Sequence, residues 1–97
     1  MSSYVLLANF TDQGIRNIKE APKRRAAARE LAGKFGVQVK SSQLAMGAFD
    51  LIIQAEAADD ADIAKYVLSL ASRGNVRTTT IKVFPEADFD KILAAVA

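Results

Sequence analysis

Met46-Gly47-Ala48-Phe49-Asp50 stands between two segments that read as strands, and its reading decides the fold. Gly47 takes a positive φ without steric cost, so it suits the connection of a hairpin. Phe49 gives the following strand an apolar anchor, and Asp50 places a carboxylate at that strand's mouth. The same residues are also compatible with a plain β-turn carrying one solvated acid. Upstream of this stretch the chain reads strand then helix; downstream it reads strand, helix, strand, helix.

Working upstream, Val37 to Leu44 alternates and then turns polar, as an edge strand does, with Lys40 discouraging edge pairing. Gly36 stops the helix before it, whose apolar stripe is Ala28, Leu31, Ala32 and Phe35. Pro22 suits the first turn of that helix and ends a preceding helical turn over Ile15–Lys19. Tyr4 to Phe10 is apolar almost throughout and ends at the turn cluster Thr11-Asp12-Gln13-Gly14, as a central strand buried on both faces would.

Working downstream, Asp50 to Glu56 is apolar in its middle and reads as an interior strand. Asp59 and Asp60 precede a helix over Ala61–Arg73, where acids complement the partial positive charge of a helix start. Ile63, Tyr66, Val67, Leu70 and Ala71 form its buried stripe, and Gly74 stops it. Val76–Phe84 is rich in β-branched residues and reads as a strand. Pro85 and Glu86 open a last helix with Phe89, Ile92, Leu93 and Val96 on its apolar face. The order is β-α-β-β-α-β-α: an α+β class, ferredoxin-like split βαββαβ with one antiparallel four-stranded sheet, helices on one face and an extra C-terminal helix.

Ninety-seven residues are expected to form one domain, 1–97, with a core of little margin. The chain contains neither cysteine nor histidine. Disulfides, thiolate ligands and histidine-based nucleophile pairs or metal sites are therefore closed to it. No run approaches a membrane span, and the start has no basic region ahead of an apolar run, so the expected location is cytoplasmic. Residues 1–45 carry eight Lys/Arg against three Asp/Glu, and residues 46–97 carry five against eight, so a basic first half (+5) faces an acidic second half (−3).

The predicted topology leaves one sheet face without helices. Alternation gives that face Asp50, Ile52, Gln54 and Glu56 from the third strand, with Leu51, Ile53 and Ala55 in the core. From the fourth strand it gives Thr78, Thr80, Lys82 and Phe84, with Ile81 and Val83 in the core. The second strand adds Gln38, Lys40 and Ser42; the first adds either Tyr4, Leu6, Ala8 and Phe10, or Val5, Leu7 and Asn9. Such a face calls for a cover, either another copy of the chain or the last helix of a neighbour. The alternative is a monomer whose last helix folds back over its own sheet.

Gly47-Ala48-Phe49-Asp50, the opening strand with Asn9-Phe10-Thr11-Asp12-Gln13-Gly14, the run Pro22-Lys23-Arg24, and Ser72-Arg73-Gly74-Asn75-Val76-Arg77-Thr78-Thr79-Thr80 together resemble the GYD-domain proteins. The resemblance covers almost the whole chain and implies a ferredoxin-like fold. Phe49 stands where the family name implies tyrosine, which removes a phenol hydroxyl there and implies a packing role for the ring.

Three functional classes follow. The first is a homo-oligomeric module that binds a small ligand or regulates a partner through the sheet face, with Asn9, Asp50, Arg77, Thr78 and Thr80 as candidate ligand-binding residues and Gly47, Phe49 and Asp50 as the turn motif. Arg77 and Asp50 could hold a polar ligand or simply pair with each other; strict alternation sends Arg77 to the helix side unless it escapes to solvent. The second is a cofactor-independent enzyme acting on a small organic molecule in a dimeric α/β-barrel-like cavity, where Asp50, Glu56, Lys82 and Tyr4 are the acid/base candidates. The third, nucleic-acid binding through Arg16, Lys19, Lys23, Arg24, Arg25 and Arg29, is disfavoured, because the sheet lacks aromatic base-stacking strands. No metal or cofactor is expected, and there is no Gly-rich phosphate loop.

Overall fold

A computed structural model describes residues 1–97. Its elements are β1 (Ser2–Phe10), α1 (Asp12–Arg16), a 3-10 turn (Ile18–Glu20), α2 (Ala21–Lys34), β2 (Gln38–Leu44), β3 (Leu51–Ala57), α3 (Asp60–Ser72), β4 (Val76–Val83) and α4 (Glu86–Ala94). The four strands form one antiparallel sheet in the order β2-β3-β1-β4. This is the expected α+β, ferredoxin-like arrangement with an additional C-terminal helix.

Local chemistry explains the helix starts. Thr11 caps α1 by accepting from the Gly14 amide, and Asp59 caps α3 by accepting from the Asp62 amide at 3.0 Å. The short α1 begins at Asp12 rather than Ile15, because Thr11 offers a cap where a turn was expected. Pro22 sits in the first turn of α2, where its missing N–H removes no helical bond.

The core lies between the sheet and the helix pair α2/α3. Tyr4, Leu6, Leu31, Ala32, Val37, Ala55, Ala57, Ile63 and Tyr66 form it, with Phe35, Val39, Ile53, Val67 and Leu70 packed at its margin. Small residues on the helix-facing side of the strands (Ala8, Ala55 and Ala57, all buried) let the helices lie close to the sheet. Leu6 and Tyr66 are the largest side chains wholly out of water. The Tyr66 hydroxyl donates to the Ala28 carbonyl at 3.1 Å, joining α3 to α2.

Register fixes which residues share a face, because directly opposed residues in a ladder point the same way. Leu6 is opposite Ile53 and Thr80; Ala8 is opposite Leu51 and Thr78; Tyr4 is opposite Ala55 and Lys82. All of these lie on the helix side. The other side carries Val5 with Gln54 and Ile81, Leu7 with Ile52 and Thr79, and Asn9 with Arg77.

Four expectations are corrected here. In β4 the phase is reversed: Ile81 and Val83 point away from the helices, while Thr78, Thr80 and Lys82 point toward them. In β2 a bulge between Val39 and Ser41 shifts the register, so Ser42 opposes Ile53 on the helix side and Ser41 and Gln43 take the open side. β1 is buried on one face only, since Val5 and Leu7 remain half-exposed. The β2–β3 connection is a loop over 45–50 rather than a tight turn, closed by the Ala45 amide donating to the Asp50 carbonyl at 2.7 Å. Gly47, at φ 140°, adopts the positive φ expected of it.

The last helix does not fold back. Every residue of α4 is exposed, including Phe89, Ile92 and Leu93. The molecule is accordingly extended, 51 × 31 × 18 Å. Its Cα radius of gyration of 14.7 Å exceeds the roughly 12.5 Å of a compact chain of this length.

Candidate functional site

Two surfaces stand out, one on each side of the sheet. The first is the open face. Val5, Leu7, Ile52, Ile81 and Val83 make an apolar centre, bordered by Gln38, Ser41, Gln43, Gln54, Glu56, Thr79 and Arg77. Lys40, the bulged residue, reaches Glu56 on this side at 3.7 Å. Four strands at about 4.8 Å spacing and some eight residues of length give a face of about 19 Å by about 26 Å. None of the molecule's helices covers it.

The second surface is a cavity of about 140 Å³ on the helix side, opening at the end of the sheet where β1 leads into α1. Ala8, Phe10, Leu51, Ile53, Leu70 and Val76 supply apolar wall; Arg24, Arg25, Arg73, Ser42 and Asn75 supply its polar part. A junction of three distant segments builds its rim. The Thr11 amide donates to the Asn75 carbonyl at 3.1 Å, and the Thr11 hydroxyl donates to the Gly74 carbonyl at 2.5 Å. Gln13 Nε2 donates to the Arg73 carbonyl at 3.2 Å and to Asn75 Oδ1 at 3.0 Å. Arg24 Nη2 donates to the Gly14 carbonyl at 3.1 Å. Gly14 is buried against Asn75, whose carbonyl oxygen fills the place where a Cβ would stand. The segments around Gly14, Arg24 and Asn75 thus form one packed unit.

The structure separates the residues proposed from sequence. Asn9 and Arg77 are opposite one another on the open face. Thr78 and Thr80 lie on the helix side of β4, away from that pair. Asp50 extends the β1–β3 ladder: its amide donates to the Ala8 carbonyl at 2.9 Å, and its Oδ2 accepts from the Phe10 amide at 2.9 Å. Asp50 therefore holds the end of β1, and with it the Phe10 wall of the cavity. Gly47 and its loop lie at an exposed edge, with Met46 almost wholly in solvent. Arg73 and Asn75 were not singled out as site residues, and Arg24 and Arg25 were weighed only as nucleic-acid contacts. Their charge pattern reads as a solvated helix face, and about fifty residues separate the two segments that meet there.

The four groups weighed as acids or bases all have structural partners. The Tyr4 hydroxyl donates to Asp60 Oδ1 at 2.5 Å, and Lys82 Nζ lies 3.0 Å from the same oxygen. Burial, then this hydrogen bond, raises the Tyr4 pKa above its ordinary value. The Tyr4 and Lys82 bonds hold the Asp60 carboxyl below the usual carboxylate range. This cluster pins the start of α3 to the sheet. Glu56 pairs with Lys40, and Asp50 is engaged as described. No cluster of three or more metal-ligating side chains occurs, and no helix is long and apolar enough to cross a membrane.

The family model described as the GYD domain matches residues 4–93. A curated protein of Thermus thermophilus, described as "Glutamine synthetase and cystathionine beta-lyase binding protein", is 36% identical over 89 residues, covering 91% of this chain and 94% of that one. Among solved structures, a feast or famine regulatory protein from M. tuberculosis complexed with L-methionine superposes with a TM-score of 0.66 at 16% identity. That match covers 88% of this chain and 51% of the other, so the chain spans about half the length of that regulator. A Thermus thermophilus structure gives a TM-score of 0.57 at 21% identity, over 88% of this chain and 95% of the other. These structural likenesses concern the fold.

Proposed function

The chain belongs to the GYD domain family, and from that premise we propose that it is a self-associating binding module that regulates a partner enzyme in the cytoplasm. The observation that carries this reading is the open sheet face, whose apolar centre is left uncovered by the chain's own α4. Two such faces, or a face and a neighbour's α4, supply complementary apolar surface. With α4 included, the area approaches the roughly 800 Å² per partner of a standard interface. Asn9 and Arg77 lie at the polar margin of that interface, as hydrogen-bonding residues at a rim do. The name of the Thermus thermophilus relative supports an enzyme as partner. The structural engagement of Tyr4, Lys82, Glu56 and Asp50 supports binding ahead of catalysis.

Native mass spectrometry on gently purified protein tests the first half of the proposal: an oligomer is expected, and a bare monomer at every concentration overturns it. Titration against glutamine synthetase of the same source tests the second half. Saturable binding by the oligomer is expected; no binding to it, nor to cystathionine β-lyase, removes the enzyme-partner reading and leaves self-association standing.

A further inference from the structure

The helix-side cavity carries an inference that does not depend on self-association. It lies on the opposite side of the sheet, and its composition is lopsided. Its walls are apolar, three arginines (Arg24, half-buried, and Arg25 and Arg73, both reaching solvent) are among its lining residues, and no carboxylate is among the fourteen. The molecule's three ion pairs are Lys40–Glu56, Lys65–Asp62 and Lys82–Asp60. No arginine takes part in any of them. Arg24 is held by the Gly14 carbonyl, whereas Arg25 and Arg73 have neither ion pair nor side-chain hydrogen bond.

We propose that this cavity binds a small monocarboxylate with a compact apolar body, of the arylacetic or branched-chain acid class. Size sets the body: the cavity is about 140 Å³, and an apolar cavity of roughly 150 Å³ accommodates benzene. Charge sets the head, because planar guanidinium forks match a carboxylate in two parallel hydrogen bonds. A phosphate monoester would meet the same cations but would leave the apolar wall unfilled. The positive field extends into the cavity wall: burial raises the Tyr66 pKa, and Arg29 and Arg73 oppose that rise.

The built rim strengthens the case. Gln13, Gly14, Arg24 and Asn75 come from three separate segments and are locked to one another by hydrogen bonds, so Arg24 is positioned before a ligand arrives. Asp50 fixes Phe10 from the other side.

The test uses the full chain, phenylacetate and its neutral isostere phenylacetamide, with binding followed by amide chemical shifts. Phenylacetate is expected to give saturable shifts at Ala8, Phe10, Leu51 and Val76, and to bind at least about tenfold more tightly than phenylacetamide. Arg25→Gln combined with Arg73→Gln should abolish that preference, while Lys19→Gln combined with Lys34→Gln, removing the same charge away from the cavity, should preserve it. Ala28→Leu should block both compounds by filling the cavity; if it fails to fold, the arginine pair alone decides. Equal affinity for the two compounds, shifts located on the open sheet face, or no saturation at millimolar phenylacetate would each overturn the proposal.

Discussion

Gly14 is glycine because a neighbouring backbone occupies its side-chain space. With the Asn75 carbonyl standing where the missing Cβ would be, Gly14→Ala should cost about 1–3 kcal/mol, read as a lowered denaturation midpoint. Asp50→Ala should cost about 1–2 kcal/mol by leaving the Phe10 amide without its acceptor, and Asp50→Asn, which keeps an acceptor oxygen, should recover most of that. Asp60 makes stability pH-dependent. Its folded pKa lies below the ordinary 3.8, so its contribution is present above about 3.8 and is lost as the pH falls through the folded value. Tyr4 has the opposite sign: its folded pKa lies above 10.0, so stability is lost as the pH rises from about 10 through that value. Acid and alkaline titrations of unfolding should show both limbs, with Asp60→Asn flattening the acid one. Sequence placed Asp50 at the right point but left its role open, because a carboxylate at a strand mouth serves a ligand and a neighbouring amide equally well. The Tyr4–Asp60–Lys82 cluster was not legible, since its members come from three elements and meet only through the register of β1 with β4.

At the scale of elements, the order and the helix stripes were legible from spacing: Leu31 with Ala32, and Ile63 with Tyr66, are buried as the 3.6-residue pattern requires, although the amphipathic pattern is clear in α3 and weak in the alanine- and arginine-rich α2. The phase of β4 was not. Thr78-Thr79-Thr80 offers no alternation, and the rule that apolar residues face the core selects Ile81 and Val83 for the wrong side. At this sheet edge the helix side is only partly covered, so Thr80 and Lys82 remain in solvent there, while the strand's apolar residues join Val5 and Leu7. Those apolar residues belong to the face for which self-association is proposed. Ile81→Lys should therefore leave the unfolding midpoint of dilute protein within about 0.5 kcal/mol, as a surface substitution does. In sedimentation at high concentration the same variant should run as a monomer; an unchanged oligomer would place the contact elsewhere. The bulge at Lys40 was likewise invisible to a period-two reading, since one extra residue moves Ser42 to the other face.

The whole molecule exposes more surface than its mass calls for. Its accessible area is 6505 Å², against about 5,400 Å² for a compact monomer of 10.4 kDa. Exposed apolar surface is prominent on α4 and its flanks, where Phe84, Phe89, Leu93 and Val96 are each more than half exposed. A helix of nine residues is shorter than the roughly 12–15 needed for an isolated helix to hold its shape in water. Under the proposed self-association, winding and docking would be a single equilibrium for this segment, and protein concentration would act on it as a ligand does. Diluting the protein should unwind residues 86–94 alone: helical circular dichroism should fall by that share and their amides should exchange with solvent at coil rates. The sheet and the α2/α3 pair should stay protected throughout. The tail would then be a reporter of crowding among copies, ordered when neighbours are near and loose when they are scarce.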